Sequence, residues 1–448
     1  MTRCARAASV AVMAAVLALG TLAWSPPAIG AQPEVTCAGE PATHVGSREK
    51  THLAGTPERD VMVTNGSLSV DAFEGDDLIC ITGKTEDVEA GPGDDDVRTL
   101  PSADGWRIRV WLGPGSDHFA GGAAGEEVNA DDGSTVDDPD VVRTGGGRDE
   151  VSSGEQNTDL VDVIDLGWGN DRLRLVSRTA AATFSVTGSA GFDELELWPW
   201  MYDGLGNRPW LVDNRASVGH AGFEGRTTMS WTSFERFGLE PSARSWSFLG
   251  GPSDETVDVK RLGSAQMGGG DDRVQILDVP RDTRMRGGSG TDTVAFNSMS
   301  ILDCPRTATV RMAVGTYSCA GPDADTGSSE SSRPDRRASF SGFESAVASG
   351  RRVVMVGSRH DDRLVAIPDC VARVRAGGGD DQVILRGVWS TECGPDYPVR
   401  RLLGGPGDDD LVGWKRRDLL IGGPGRDVAN GRGGEDRCVA ERRIDCER

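Results

Sequence analysis

The 448-residue sequence has few of the residues and motifs on which common enzymes and zinc proteins depend. It contains only five His, and these are scattered along the chain. It has no H-E-x-x-H motif, no G-x-S-x-G nucleophile turn, no P-loop and no C-x-x-C pair. We therefore expect a protein that is not an enzyme. Carboxylate pairs for glycoside hydrolysis stay open, because acidic residues are abundant throughout the chain.

Long apolar segments are missing after the N-terminus. Arg3 and Arg6 precede an apolar run from Ala7 to Trp24, and small residues follow it up to Ala31. This order is typical of a secretory signal peptide over residues 1–31, so we expect a secreted, extracellular protein. An uncleaved membrane anchor is the alternative. No later run approaches about 18 apolar residues, so we expect no membrane span after signal removal.

Positive charge is also scarce. The chain has 70 Asp and Glu against 48 Lys and Arg, which gives a formal net charge of −22. This balance argues against nucleic acid and against anionic membrane surfaces as partners, because both repel an acidic protein. Ordinary solubility is the alternative reason for such a charge.

What the sequence has in abundance is glycine followed closely by an acid. In the last forty residues four acids are spaced by nine: Asp409, Asp418, Asp427 and Asp436. Two positions after each acid comes an apolar or small residue, in order Leu411, Leu420, Ala429 and Cys438. The unit is G-G-x-G-x-D-x-U-x, in which U is apolar. The glycines predict a turn with positive φ, and x-U-x predicts a short strand with one inward side chain.

Two such units form a coil of eighteen residues, and coils stack about 4.8 Å apart. Asp409 is then expected above Asp427 on one edge, and Asp418 above Asp436 on the opposite edge. Stacked carboxylates repel one another unless a cation lies between them. Asp oxygens and turn carbonyls form an all-oxygen ligand set, which suits Ca²⁺.

The nonapeptide resembles the calcium-binding repeat of RTX (haemolysin-type) proteins. The resemblance implies an all-β fold, a parallel β-roll or β-solenoid of Gly-Asp-rich nonapeptide repeats with inserted loops. It also implies Ca²⁺ as the cofactor and a structural or surface-interaction role. One departure is that RTX proteins are typically exported through a C-terminal signal, whereas this chain has an N-terminal one.

The same rhythm recurs upstream in a less regular form. Asp193, for example, follows Gly188-Ser189-Ala190-Gly191, and Asp292 follows a similar glycine turn. Arg416 and Arg417 replace the glycine turn before Asp418, so we expect that edge to be weaker or self-neutralised. The predicted Ca²⁺ ligands are Asp77, Asp95, Asp149, Asp171, Asp193, Asp272, Asp292, Asp381, Asp409, Asp418, Asp427 and Asp436.

The first coils resemble the start of secreted calcium-binding repeat proteins, in which one Cys precedes the repeats and another follows a G-D-D-x-I unit. Cys37 and Gly75–Cys80 are the counterparts in this sequence. Glu49 and Glu58 stand where that pattern has glycine, and Thr51 stands where it has Asp. We therefore expect the first coils to bind no ion.

Two longer segments interrupt the rhythm, and each contains a Phe-Glu pair, Phe234-Glu235 and Phe343-Glu344, which suggests copies of one cassette. The second contains a polar stretch, 321–337, that predicts a loop. The predicted organisation is a signal peptide (1–31), a degenerate repeat solenoid (32–197), a Trp-rich insertion (198–250), a repeat segment (251–295), a second insertion (296–356) and a C-terminal repeat solenoid with a disulfide cap (357–448).

Tryptophans concentrate in the first insertion, at Trp198, Trp200, Trp210, Trp231 and Trp246. We favour a small core that packs the insertion onto the solenoid. The alternative is an aromatic platform, with which the protein would be a cell-wall or glycan-binding adhesin, and its partner a surface glycan or protein. A repeat scaffold of a secreted hydrolase is a further alternative.

Nine Cys become eight once Cys4 leaves with the signal, and an even count in an exported protein predicts disulfides. Contacts in a solenoid are local, so neighbouring Cys are the best candidates for pairing. The predicted pairs are Cys37–Cys80, Cys304–Cys319, Cys370–Cys393 and Cys438–Cys446.

Overall fold

The structure is a computed structural model that describes residues 34–447 except 104–106, 131–137, 155–161, 178–184, 200–207, 241, 281, 297–303, 305–306, 321–335 and 388–398. The chain from Val35 onward forms one compact unit. The predicted signal peptide (1–31) and most of the polar stretch 321–337 lie outside the described residues. Every regular element in the described part is a strand, and no helix there could cross a membrane.

The coils before the first insertion consist of short strands joined by turns. In chain order these are β1 (Thr36–Cys37), β2 (Glu40–Pro41), β3 (His44–Val45), β4 (His52–Ala54), β5 (Val61–Val63), β6 (Ser69–Asp71), β7 (Leu78–Gly83), β8 (Asp87–Glu89), β9 (Asp96–Ala103), β10 (Ile108–Trp111), β11 (His118–Ala120), β12 (Glu126–Ala130), β13 (Val141–Arg143), β14 (Gly146–Gly147), β15 (Glu150–Ser153), β16 (Val163–Asp165), β17 (Trp168–Gly169), β18 (Arg172–Ser177), β19 (Ser185–Thr187), β20 (Ala190–Gly191) and β21 (Glu194–Pro199).

The first insertion and the repeats after it continue the all-strand pattern. Their strands are β22 (Pro209–Asp213), β23 (Gly219–Phe223), β24 (Arg226–Thr232), β25 (Arg236–Leu239), β26 (Ser245–Leu249), β27 (Thr256–Val259), β28 (Leu262–Gly269), β29 (Arg273–Ile276), β30 (Thr283–Ser289) and β31 (Thr293–Phe296).

The second insertion and the C-terminal repeats complete the chain. Their strands are β32 (Thr307–Arg311), β33 (Thr316–Ala320), β34 (Arg336–Ser341), β35 (Ser345–Val356), β36 (Arg363–Arg375), β37 (Gln382–Leu385), β38 (Arg400–Leu403), β39 (Asp410–Val412), β40 (Asp418–Ile421), β41 (Val428–Asn430), β42 (Arg437–Val439) and β43 (Arg442–Ile444).

The strands form a parallel β-solenoid of about 16 turns, as the sequence predicts. One unbroken parallel stack runs along one side, in the order β4, β6, β8, β10, β12, β15, β18, β21, β25, β27, β29, β31, β35, β36, β37, β39, β41 and β43. The opposite side is interrupted twice, where the two insertions replace single strands by antiparallel groups.

The interior is a column of apolar side chains contributed by the U positions. Ile79, Val97, Phe119 and Val142 are in register on four successive strands, and each is fully buried. This follows from strand alternation, because the flanking residues of x-U-x point to solvent while U points inward. The repeat therefore builds its core one side chain per half-coil.

The two insertions share one topology, which supports the interpretation of a duplicated cassette. In the first, β22, β23 and β24 are antiparallel, and the outer two strands pair in parallel with β26 and β19. In the second, β32, β33 and β34 repeat this arrangement against β35 and β30. The backbone anchors also correspond, since Asn214 N–H donates to Leu249 O at 2.7 Å and Met312 N–H donates to Val356 O at 2.8 Å.

Three of the five insertion tryptophans form a small core. Trp210, Trp231 and Trp246 are at most 1% exposed, and the Trp210 ring centroid lies 5.8 Å from that of Trp246. Side chains at this depth cannot present a flat surface to a glycan. Trp198 is partly exposed, and Trp200 lies outside the described residues.

Three of the predicted disulfides are confirmed: Cys37–Cys80, Cys304–Cys319 and Cys438–Cys446. Cys370 is also disulfide-bonded, and its predicted partner, Cys393, lies outside the described residues. Cys438 is buried in the U position above Leu420, so its bridge ties the C-terminal tail to the last coil.

Candidate metal centre in the acid columns

The acids of the repeat lie at the two edges of the solenoid, each at the end of a turn and next to a strand. Their carboxylates point inward, and none of the twelve predicted ligands is more than 2% exposed. Such deep burial of charged groups is costly unless each charge is paired, hydrogen-bonded or bound to a metal.

Hydrogen bonds link these acids from coil to coil. One carboxylate oxygen of each acid accepts the backbone N–H of the corresponding acid in the preceding coil. Asp409 N–H, for example, donates to Asp427 Oδ1 at 3.0 Å, and Asp418 N–H donates to Asp436 Oδ1 at 2.8 Å. The predicted stacking of Asp409 on Asp427 and of Asp418 on Asp436 is therefore confirmed.

These links divide the acids into five columns. Columns I and V lie along one edge, and columns II, III and IV follow one another along the other. They are column I (Asp60, Asp77, Asp95, Asp117, Asp140, Asp162), column II (Glu126, Asp149, Asp171, Asp193, Glu235), column III (Glu255, Asp272, Asp292, Glu344), column IV (Asp362, Asp381, Asp409, Asp427, Glu441) and column V (Asp418, Asp436, Glu447).

Columns II to V each end in a glutamate. Asp193, Asp292 and Asp427 donate their N–H to Oε2 of Glu235, Glu344 and Glu441 at 2.8–2.9 Å. Asp436 N–H likewise donates to Glu447 Oε2. Where the repeat is interrupted by an insertion or by the tail, the longer Glu side chain reaches the N–H in place of Asp. The two Phe-Glu pairs thus have a structural role that the spacing of acids did not predict.

The second oxygen of most column acids has no donor. Among the residues that the structure describes, buried Oδ2 atoms without a hydrogen-bond partner occur in Asp77, Asp95, Asp149, Asp171, Asp193, Asp272, Asp292, Asp381, Asp409, Asp427 and Asp436. These are eleven of the twelve predicted ligands. A buried carboxylate oxygen without a donor leaves a negative site that water or a cation would stabilise.

The first acid of each column is different, because its own turn donates to it. The donor is always the backbone N–H four residues earlier. The pairs are Thr56 to Asp60 (2.7 Å), Gly122 to Glu126 (3.1 Å), Gly251 to Glu255 (2.8 Å), Ser358 to Asp362, and Trp414 to Asp418 (2.7 Å). Asp418 is thus the one predicted ligand that accepts from its own turn, and its Oδ1 is the oxygen left without a partner.

Burial raises the pKa of Asp95, Asp381 and Asp409 in columns I and IV, and the neighbouring acid charges raise it further. The pKa of Asp95 is about 8, with the charges of Asp117 and Asp77 adding to burial. The pKa of Asp381 is about 7 and that of Asp409 about 6, for the same two reasons. The columns therefore hold negative charge poorly at neutral pH unless a counter-charge is present.

Asp60 shows the opposite behaviour in the first coil. Thr43 Oγ1 donates to its Oδ1 at 2.9 Å, while the N–H and Oγ1 of Thr56 donate to its Oδ2 at 2.7 and 3.0 Å. These bonds outweigh its burial and lower the pKa of Asp60. Such a carboxylate needs no ion, which favours the prediction that the first coils bind none.

The donor set fits a hard cation only if backbone oxygens take part. No group of three or more His, Cys, Asp or Glu side chains in the described ranges clusters closely enough to hold a metal by itself. The turns, however, stack so closely that a methyl built on Gly425 would lie 1.8 Å from Gly407 O, which places a backbone carbonyl at the contact between two turns. One carboxylate per turn with stacked turn carbonyls is an oxygen-only environment, which suits Ca²⁺.

The spacing of acids missed several members of the columns as ligand candidates. Asp117 and Glu126 follow the same rhythm, but they were not among the predicted ligands, and Glu441 and Glu447 follow no repeat. The spacing of acids gave no indication of Arg400. This arginine is 2% exposed, and it stands in register with Asp418 of the next coil, where an acid would continue the column.

No protein-family model matches the chain, and no curated protein matches it either.

Proposed function

We propose that the protein is a secreted calcium-binding repeat protein of the RTX type, whose solenoid is stabilised by Ca²⁺ held beside the stacked Gly-x-Asp turns. The observation that carries the proposal is the set of buried Oδ2 atoms that no protein donor satisfies. They recur turn after turn, at the acid of each glycine-rich unit, which a single packing defect would not do.

Calcium is favoured over other metals by the kind of ligand that the turns supply. Carboxylate and carbonyl oxygens exclude the soft metals that select thiolates, and Ca²⁺ tolerates irregular geometry better than Mg²⁺ does. A bound divalent ion would neutralise the charge that raises the acid pKa values, and the coils would no longer repel.

The physiological consequence is folding after export. Extracellular sites of this type bind Ca²⁺ with Kd values on the order of 10⁻⁴–10⁻³ M, so cytosolic calcium leaves them empty. Outside the cell each site adds about 1.4 kcal/mol when the free ion is about ten times Kd. Several sites acting together convert a self-repelling chain into a stable rod, suited to a structural or surface-interaction role.

The test uses the chain from residue 32 onward, followed by circular dichroism and thermal unfolding. In EDTA we expect reduced β-structure or a lower Tm, and in excess Ca²⁺ a large rise in Tm that equal Mg²⁺ does not reproduce. Identical spectra and melting curves in EDTA and in Ca²⁺ would rule the proposal out.

A neighbouring pair of substitutions makes the test specific to the columns. Asp409→Asn keeps the Oδ1 acceptor but replaces the unsatisfied Oδ2 by an amide, whereas Asp410→Asn removes the same charge from an adjacent, partly exposed residue in strand β39. We expect the Ca²⁺-induced rise in Tm to shrink for Asp409→Asn and to stay unchanged for Asp410→Asn. Equal responses would mean that any bound calcium is held elsewhere.

A further inference from the structure

The repeat turns adopt two backbone forms that differ four residues before the acid. In one form, here called the open turn, that residue has left-handed φ, as in Gly405 (φ 136°) before Asp409. The residues in this conformation are Phe73, Gly91, Gly113, Gly145, Gly167, Ser189, Gly268, Gly288, Gly377, Gly405, Gly423 and Arg432. Eleven of the twelve acids that follow are those with an unsatisfied Oδ2, and the twelfth is Asp117.

The other form, here called the closed turn, occurs before the first acid of each column. The corresponding residues are Thr56, Gly122, Gly251, Ser358 and Trp414, and none of them has left-handed φ. Their N–H groups donate to the acid instead. Left-handed φ at this position thus goes with an acid that accepts the N–H of the preceding coil, and the other conformation goes with an acid that accepts the N–H of its own turn.

The sequence distinguishes the two forms at the residue two positions before the acid. All twelve open turns have glycine there: Gly75, Gly93, Gly115, Gly147, Gly169, Gly191, Gly270, Gly290, Gly379, Gly407, Gly425 and Gly434. No closed turn does, and its residues are Glu58, Ala124, Ser253, His360 and Arg416. Gly122 and Gly251 lie in closed turns, so glycine four residues before the acid is not sufficient.

Steric contact explains why this glycine is required. A methyl built on Gly407 would lie 1.9 Å from Gly379 O in the preceding coil, and one on Gly93 would lie 2.1 Å from Gly75 O. In both cases φ is also left-handed, at 141° and 149°. A side chain at this position cannot fit between stacked open turns, so the chain takes the closed form there.

We propose that this glycine sets the calcium capacity of each turn: open turns bind an ion, and closed turns, whose own N–H is directed at the carboxylate, do not. The inference rests on the proposed function and specifies which of its sites are real. It adds Asp117 to the predicted ligands and removes Asp418. Columns II to V then share one plan, in which a closed turn begins the column, open turns follow, and a Glu ends it.

Three closed turns still leave one acid oxygen without a hydrogen-bond partner, in Glu126, Glu255 and Asp418. Each has another protein group beside it. Burial raises the pKa of Glu126 to about 9 and that of Glu255 to about 7, and the charge of the next acid in each column, Asp149 or Asp272, raises it further. Asp418 lies in register with the buried guanidinium of Arg400, whose positive charge acts on it. Within this set the protein thus supplies a positive charge to Asp418.

The first experiment compares the same substitution in the two turn forms of column IV. Asp381→Asn (open turn) is expected to raise Tm in EDTA, because it removes an uncompensated charge, and to lower Tm in Ca²⁺. Asp362→Asn (closed turn) is expected to leave the Ca²⁺-induced shift in Tm unchanged. Equal losses of that shift in the two variants would overturn the inference.

The second experiment converts a closed turn into an open one. The double variant Ser358→Gly, His360→Gly gives Gly357–Asp362 the full glycine pattern, and native mass spectrometry in Ca²⁺ should count one ion more than in the parent chain. Adding Asp362→Asn should remove that ion again. An unchanged count in a folded double variant would overturn the inference, and if the variant does not fold, the comparison of Asp381→Asn with Asp362→Asn decides.

The two proposals fail in different ways. If the parent chain binds no Ca²⁺, the proposed function is wrong. If the parent chain binds Ca²⁺ and the open-turn and closed-turn variants lose it equally, the proposed function stands. In that case only the role of the glycine is wrong.

Discussion

Columns IV and V lie at opposite edges of the same last coils, yet their turns have opposite character. Before Asp409 the chain reads Gly404-Gly405-Pro406-Gly407-Asp408, whereas nine residues later, before Asp418, it reads Gly413-Trp414-Lys415-Arg416-Arg417. The first turn is open and acidic, and the second is closed and basic. Both hold a buried aspartate at the same depth, so the fold alone does not dictate how that charge is compensated.

Positive charge surrounds the beginning of column V. Arg400 occupies the place of an acid in the coil before Asp418, and burial lowers its pKa while the charge of Asp418 opposes that effect. Lys415 and Arg432 lie over the Trp414 ring, at 5.9 and 5.8 Å from its centroid. The comparison shows that neighbouring turns of one solenoid differ in the charge around their acid. Asp418 has a positive charge of the protein beside it, whereas Asp409 has a buried oxygen without a donor.

The largest expected effect comes from pH in the absence of divalent ions. In the folded chain the pKa of Asp381 is about 7 and that of Asp95 about 8, against an unperturbed value of 3.8. Because the folded state binds these protons more tightly, the stabilisation is present below about pH 4 and is lost as pH rises towards 8. Tm in EDTA should therefore fall between pH 5 and pH 8, and excess Ca²⁺ should abolish the fall.

Thermal unfolding at several pH values in EDTA measures this directly. Hydrogen exchange in EDTA compares the two columns strand by strand. As pH rises, the amides of β39 and β41 (column IV) should lose more protection from exchange than those of β40 and β42 (column V). A Tm in EDTA that rises with pH would show that the buried carboxylates are already compensated.

The next largest effect is expected from a substitution in an open turn of column IV. Gly407→Ala places a methyl against Gly379 O in a left-handed conformation, so we expect a loss of about 3 kcal/mol or more in the free energy of unfolding. Gly378→Ala is the matched control, because the nearest atom to its added methyl is Pro406 O at 3.7 Å. Urea unfolding in Ca²⁺ measures both, and similar losses would contradict the contact between stacked turns.

The third prediction removes the positive charge of Arg400 beside Asp418, at the start of column V. Arg400→Met leaves the charge of Asp418 buried without its counter-charge, which we expect to lower stability by about 3 kcal/mol. Arg426→Ala is the control, since this arginine pairs with Asp408 at the surface with 87% of its side chain exposed, and its loss should change Tm by no more than about 1 °C. Equal effects of the two variants in thermal unfolding would refute an internal counter-ion.

The smallest effect concerns the end of column V. Cys438→Ser with Cys446→Ser removes the bridge that holds the tail, which we expect to cost about 2 kcal/mol because the unfolded chain gains freedom. The Ca²⁺-induced shift in Tm should persist, since column IV keeps its open turns. A complete loss of that shift would mean that the two columns fold as one unit with the tail.

Much of the fold follows from the sequence because the repeat is local. The nine-residue spacing of Asp409, Asp418 and Asp427 predicts alternate edges, and the structure confirms them. The inward apolar residue of each unit and three of the Cys pairs follow from the same register. All twelve predicted ligands have a buried carboxylate oxygen without a hydrogen-bond partner, Oδ1 in Asp418 and Oδ2 in the other eleven.

Other parts of the candidate site could not be predicted from spacing. Glu235 and Glu344 complete columns II and III by accepting the N–H of acids 42 and 52 residues earlier, across the antiparallel strands of each insertion. Arg400 lies beside Asp418 only because the strands on either side of residues 388–398 come into register. Nothing periodic marks these residues, since their contacts depend on where the insertions return the chain to the stack.

The sequence by itself determined the coil, its edges and its apolar interior, because each is set within nine or eighteen residues by turn glycines and strand alternation. Only the tertiary structure decided whether the N–H that each buried carboxylate accepts comes from its own turn or from the preceding coil. The physical reason is that a turn's form depends on contact with the coil stacked upon it, where a glycine admits a neighbouring carbonyl and a side chain excludes it.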